Sequence, residues 1–163
     1  MQQTPPAEIT IDSDAPEATE SLGERIGSAA RAGLVIGLRG PLGAGKTCLV
    51  RGIGRGLGIT SAVRSPTFTI CNFYPAPLPL FHVDAYRLED GDELWRHGLD
   101  EMLSLAVVVV EWADRVEEVL PELRLDIELS HREETERRLR VQRRGNWPTG
   151  GAGEAVWEVL EGA

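Results

Sequence analysis

The run Gly40-Pro41-Leu42-Gly43-Ala44-Gly45-Lys46-Thr47 fits G-x-x-x-x-G-K-[ST], the phosphate-binding loop, and no other stretch of the chain restricts the fold so tightly. The glycines permit backbone angles that side chains forbid, and they let main-chain N–H groups close around phosphate oxygens. The helix that must follow aims the positive end of its dipole at the same phosphates. Lys46 can reach the β- and γ-phosphates, and the Thr47 hydroxyl can bind Mg²⁺. The motif demands a strand before it and a helix after it. Leu34 to Leu38 is a short apolar run suited to a buried parallel strand, and Leu49, Ile53 and Leu57 recur at helical spacing. Gly52, Gly54 and Gly56 weaken that helix by roughly 1 kcal/mol each relative to Ala, so tertiary packing must hold it. A Gly-rich turn that binds nothing is disfavoured once both flanks are right.

Two further apolar runs end in acids. Leu105 to Val110 is β-branched and apolar on both faces, which places it in a sheet centre, and it stops at Glu111-Trp112. Leu80-Phe81-His82-Val83 reads as a strand ending in Asp84. Either acid alone would read as a carboxylate facing solvent. Beside a phosphate loop in the same small domain, each becomes a candidate to reach Mg²⁺ or to polarise the attacking water. Between these strands, Ser65, Thr67 and Thr69 surround Pro66, which interrupts regular structure. Two readings stand here: a loop with hydroxyls in water, or a switch segment, with Ser65 and Thr67 sensing the γ-phosphate.

The remainder fills out an α/β domain over residues 8–144, after a loose tail at 1–7. Glu8 to Asp12 alternates like a strand; Asp14, Pro16 and Glu17 read as a capping box, Leu22, Ile26, Ala29 and Ala30 as the apolar stripe, and Gly33 as the helix end. The prolines between Tyr74 and Pro79 give a stiff loop or edge. Short helices are expected over 90–94 and 99–103, broken at Gly98, and over 115–120, ended by Pro121. Leu123, Leu125, Ile127 and Leu129 alternate with charged residues, as Leu139 and Val141 do, which predicts two half-exposed strands joined as an antiparallel hairpin. Six arginines fall between residues 131 and 144; most read as solvated or paired with nearby acids. Residues 145–153 look like a linker, followed by a short amphipathic segment anchored by Trp157.

Length (163 residues) and 42% hydrophobic content allow one domain with a real core. The net charge of −9 argues against unaided binding to a nucleic-acid backbone, so any RNA would be held by another protein. Two cysteines make no disulfide framework, which suits a reducing compartment. No apolar run is long enough to cross a bilayer and residues 1–20 carry no signal pattern, so a cytoplasmic protein with no membrane role is expected. His82, His97 and His131 are scattered, and no zinc site is expected.

Together the motifs resemble the TsaE (YjeE) family, the ATPase component of bacterial tRNA threonylcarbamoyladenosine synthesis. The resembling pieces are Thr19-x-x-Leu22-Gly23, Leu42 to Thr47, Ser65-Pro66-Thr67-Phe68-Thr69, His82-x-Asp84-x-Tyr86-Arg87-Leu88 and Glu111-Trp112, in family order across roughly residues 8–144. The resemblance implies a P-loop NTPase-like three-layer fold with a mixed central β-sheet. It implies Mg²⁺-dependent ATP hydrolysis that supports turnover of a TsaD–TsaB complex, in which TsaD transfers the threonylcarbamoyl group to tRNA. Carried onto this chain, Gly43, Ala44, Gly45, Lys46 and Thr47 cradle the phosphates, Pro41, Leu42 and Cys48 are nucleotide-binding neighbours, and Thr47 binds Mg²⁺. Asp84 and Glu111 become the metal-binding and water-activating acids, Thr19 and Arg137 touch the nucleotide, and Trp112 is a candidate stacking surface. The family often has an acid where Pro41 stands and a proline where Ala113 stands; neither position supplies a needed ligand. Two other functions share the loop: a small-molecule kinase and a non-catalytic nucleotide-gated adaptor.

Overall fold

The computed structural model describes residues 8–66 and 69–163; the expected tail at 1–7 and the switch candidate Thr67 lie outside them. Two runs apolar on both faces become the sheet centre: β2 (Val35–Arg39) and β5 (Val107–Glu111) pair in parallel. β4 (Leu80–Asp84) lies parallel to β5, and β6 (Arg124–His131) parallel to β2 on its other side. Antiparallel strands close both edges: β7 (Arg137–Arg144) and β1 (Glu8–Ser13) beyond β6, and β3 (Cys71–Tyr74) beyond β4. The order is β1-β7-β6-β2-β5-β4-β3, the mixed sheet the sequence predicts, with β6 and β7 as its antiparallel hairpin.

Helices cover both faces, giving three layers. On one face α1 (Pro16–Ala29), α2 (Lys46–Gly56) and α5 (Glu154–Glu161) enclose a core that includes Ile36, Leu38, Leu49, Ile53, Leu125 and Trp157. On the other, α3 (Asp92–Arg96), α4 (Leu99–Leu105) and two 3₁₀ turns (Ala113–Arg115, Glu117–Val119) cover Val35, Val108 and Val110. The glycines that weaken α2 in isolation turn out to be its contact surface. A Cβ on Gly52 would fall 2.0 Å from the Glu20 carbonyl oxygen, and one on Gly27 would fall 2.2 Å from that of Ile53. Backbone therefore meets backbone along the α1–α2 seam, which is the packing that holds α2.

Several expectations shift for physical reasons. β1 runs through Ser13, so the turn into α1 falls one residue later than the capping pattern suggests. Ala15 rather than Asp14 is the N-cap, with no side-chain cap, and its carbonyl accepts the Ala18 and Thr19 N–H groups. α1 ends at Ala29, and Gly33 belongs to the next turn. The apolar run from Leu105 spans two elements: Leu105 ends α4 and is exposed, and β5 begins only at Val107. The helix expected over 115–120 is replaced by the two 3₁₀ turns. β6 is half-exposed only in its second half, because parallel pairing with β2 buries Arg124 and Asp126 as well as Leu125 and Ile127. The C-terminal segment packs onto the domain: Val156, Trp157 and Leu160 join the main core, and the Arg143 guanidinium lies 5.6 Å and 5.0 Å from the Trp147 and Trp157 ring centroids. Among the described residues no helix is long and apolar enough to cross a membrane.

Candidate functional site

β2 ends at Arg39 and the chain turns through the glycine-rich loop into α2, whose first residue is Lys46. Gly40, Gly43 and Gly45 take φ of +137°, +78° and +100°, angles that favour glycine. Gly45 is the N-cap and no side chain caps it, so the first-turn N–H groups of α2 face outward along the helix axis. A Cβ on Gly43 would meet nothing within 4 Å, and Leu42 at the tip is 87% exposed, so the cradle opens to solvent. The Lys46 ammonium donates to the loop's own carbonyls, Gly40 O at 2.6 Å and Pro41 O at 2.9 Å, and lies 4.3 Å from the Trp112 ring centroid. Burial pushes the Lys46 pKa down, opposed by the nearby Glu111, Asp84 and Asp114 charges.

Asp84 and Glu111 end the neighbouring strands β4 and β5 and are register partners; Glu111 is also the partner of Leu38, at the end of β2. Loop and acids therefore meet at the carboxyl ends of parallel strands, where α/β sheets bind ligands. They line a groove of about 290 Å³ with Lys46, Thr47, Ser65 and Trp112. A second recess of about 290 Å³ shares Leu42, Ser65 and Asp84 and runs on to Tyr86 and Arg87. A smaller cavity, about 90 Å³, sits at the other end of β2 beneath Trp147 and contains none of these residues.

The Glu111 carboxylate is buried and fully engaged. Its Oε1 accepts the Thr47 hydroxyl at 3.0 Å; its Oε2 accepts the Ser65 hydroxyl at 2.9 Å and bonds His82 Nε2 at 3.0 Å. Burial alone would raise its pKa, but the bonds from His82, Ser65 and Thr47 outweigh it and hold the group below the usual carboxylate range. Asp84 shifts the other way: burial raises it, against the Tyr86 N–H that donates to its Oδ1 at 3.0 Å. Trp112 adopts φ +57°, the only non-glycine positive φ among the described residues. That turn swings its ring over Lys46 and against Tyr86, centroids 5.1 Å apart, while the Arg115 guanidinium lies 5.0 Å from the Tyr86 ring.

Most of the candidate residues are brought together: the loop from Pro41 through Thr47, Ser65, Asp84, Glu111 and Trp112. Cys48 borders the groove, with its thiol donating to Pro16 O at 3.2 Å. Arg137 reaches the loop rim, one guanidinium nitrogen donating to Gly43 O at 3.4 Å, while the other holds the carbonyls of Glu133, Glu134 and Glu136 in the hairpin turn. Thr19 is not brought to the groove. It is 1% exposed and its hydroxyl bonds Ser13 Oγ at 2.7 Å, so it fastens the start of α1 to the end of β1. The sequence reading passed over His82 as a site residue. Its place two positions before Asp84 on one strand put both on the same sheet face, and that was the available signal.

A hydroxyl and two carboxylates are hard oxygen donors of the kind Mg²⁺ takes. Among the described residues no group of three or more His, Cys, Asp or Glu side chains could hold a metal unaided.

The family model described as "Threonylcarbamoyl adenosine biosynthesis protein TsaE" matches residues 13–139. Curated proteins named tRNA threonylcarbamoyladenosine biosynthesis protein TsaE match as well. The one from Bacillus subtilis is 44% identical over 133 residues, covering 80% of this chain and 83% of its own. The one from Streptomyces coelicolor is 49% identical over 112 residues, covering 66% and 76%. A crystal structure of YdiB from Bacillus subtilis superposes with a TM-score of 0.78 at 33% identity, covering 95% of each chain.

Proposed function

The chain belongs to the TsaE family, and from that premise we propose that it is an ATP hydrolase working in tRNA threonylcarbamoyladenosine biosynthesis, in support of a TsaD–TsaB complex. One observation carries the hydrolase reading. A buried carboxylate, Glu111, is fixed by three donors at the end of the strand next to the phosphate loop, and one of those donors is the loop's own Thr47.

The loop amides and the α2 N-terminus bind the phosphates. Lys46, now on the carbonyls of Gly40 and Pro41, exchanges them for phosphate oxygens when nucleotide enters. Thr47, Asp84 and Glu111 would hold Mg²⁺, which would neutralise charge developing on the phosphates. Glu111, kept ionised by its donors, orients and polarises the attacking water, and Asp84 shares that edge of the groove. Trp112 roofs Lys46 and limits water at the phosphate end. Arg137 adds positive charge at the rim. The −9 net charge supports a division of labour in which the partner complex, in the cytoplasm, holds the tRNA.

The test is phosphate release from ATP and Mg²⁺, with and without TsaD and TsaB. Slow release alone and a changed rate with partners are expected, with the label appearing as inorganic phosphate. Glu111→Gln should lower turnover ~100-fold or more while nucleotide still binds. Hydrolysis indifferent to the partners at every ratio, or unchanged by Glu111→Gln, overturns the proposal.

A further inference from the structure

His82 sits on β4 with no exposed surface, on the same sheet face as Asp84. Its only polar partner among the described residues is Glu111, through Nε2 at 3.0 Å; Nδ1 is buried and makes no hydrogen bond. A carboxylate only accepts, so the Nε2 that faces Glu111 Oε2 is the nitrogen placed to donate. A residue present for packing alone would not be built this way. Leucine would fill the same place between β3 and β5 without a stranded ring nitrogen, and burying an unpaired polar atom is unfavourable. What the imidazole supplies in return is one N–H aimed at one oxygen.

That oxygen is the one Glu111 does not share with Thr47. Oε1 receives the Thr47 hydroxyl, and Oε2 receives Ser65 and His82. Ser65 belongs to the loop ahead of β3 and Thr47 to the glycine loop, whereas His82 is rooted in a central strand in register with Val109. Of the three donors it alone stands on the sheet that carries Glu111. We infer that His82 is the positioning residue for Glu111: it pins Oε2 so that Oε1 stays on Thr47, and so sets the acid for the metal ion and water. The inference rests on the hydrolase reading above and assigns a task within it.

The test uses the full chain with His82→Leu, His82→Gln and His82→Asn. A glutamine amide nitrogen can occupy the place of Nε2, whereas the asparagine nitrogen falls near Nδ1. Three readouts are taken: affinity for a nonhydrolysable ATP analogue with and without Mg²⁺, by calorimetry; kcat and KM for ATP with TsaD and TsaB present; and the thermal midpoint. Removing such an outer partner typically lowers metal affinity or activity about 10–100-fold. In Leu and Asn, kcat and the Mg²⁺-dependent gain in analogue affinity should fall by that amount, with Mg²⁺-free affinity and KM unchanged. Gln should recover most of both. The thermal midpoint of Leu checks that the fold survives, since losing the unpaired nitrogen and losing the bond to buried Glu111 act in opposite directions. If Leu keeps the Mg²⁺ gain and kcat, or if Gln falls with Leu and Asn, the inference is overturned. Should Leu fail to fold, the contrast of Gln with Asn decides. A parent that binds analogue with no Mg²⁺ gain overturns the underlying reading, and the inference with it; a normal parent with a normal Leu variant overturns the inference alone.

Discussion

Two buried carboxylates flank β2 on opposite sides and opposite faces of the sheet. Glu111, opposite Leu38 on β5, is met by two hydroxyls and a ring nitrogen, and no Lys or Arg pairs with it among the described residues. Asp126, opposite Gly37 on β6, is met by guanidinium groups: Arg124 at 2.9 Å, Arg39 at 3.6 Å and Arg144 at 3.7 Å. Glu117 ties the same three arginines together. Gly37 makes room for this, since a Cβ there would lie 2.8 Å from Asp126 Oδ1. Both carboxylates are hydrogen-bonded, but only Asp126 is in direct contact with guanidinium groups. Glu111 has only hydroxyl and imidazole groups as hydrogen-bond partners and lines the groove. Burial of an acid therefore does not mark a site; the kind of donor around it does.

The comparison breaks most visibly if the two acids respond alike to loss of charge. Asp126→Asn should leave turnover per folded molecule within about threefold, against the ~100-fold loss expected of Glu111→Gln. It should instead destabilise the fold by ~3 kcal/mol in urea unfolding, because Arg124 loses its buried partner and keeps only the more exposed Glu117. A turnover loss near that of Glu111→Gln would put Asp126 in the reaction. Replacing Arg124 by Met together with Asp126 by Leu should recover most of that stability, as removing both partners of a buried pair often does. A smaller effect separates the donors around Glu111: Ser65→Ala removes one of three and should slow turnover by about fivefold, roughly 1 kcal/mol. The smallest concerns acid. The Arg39 hydrogen bond, aided by the charges of Arg39, Arg124 and Arg144, holds Glu117 below the ordinary glutamate value of 4.5. Its stabilising contribution is thus complete above pH 4.5 and fades as pH falls through the lower folded value. With 42% of its side chain exposed the contribution is modest, and Glu117→Gln should slightly flatten the acid limb of a stability-versus-pH curve.

The glycine-loop side of this pair was legible in sequence and the arginine side was not. Glu111 and Asp84 each terminate an apolar run, a local signal that survives without any knowledge of neighbours. Arg124 and Asp126 alternate with Leu125 and Ile127, the same pattern a solvated strand shows. What reverses its meaning is parallel pairing with β2 and the charges brought from Arg39, Glu117 and Arg144, all distant in sequence. His82 was hidden for a related reason: one imidazole between apolar residues carries no spacing signal until Asp84 and Glu111 are known to be register partners. Thr19 differs in the opposite sense. Its motif was visible, but the hydroxyl is consumed by Ser13 where β1 meets α1, a junction no local pattern specifies.

The seam of Gly23, Gly27, Gly52 and Gly56 has a mechanical meaning. With main chains touching and no side chains between them to act as cushions, α1 and α2 cannot slide or roll separately without collision. Any displacement of α2 must therefore carry α1 with it. The Arg25 guanidinium, donating to the carbonyl of Val159 at 3.4 Å, ties α5 to the same pair.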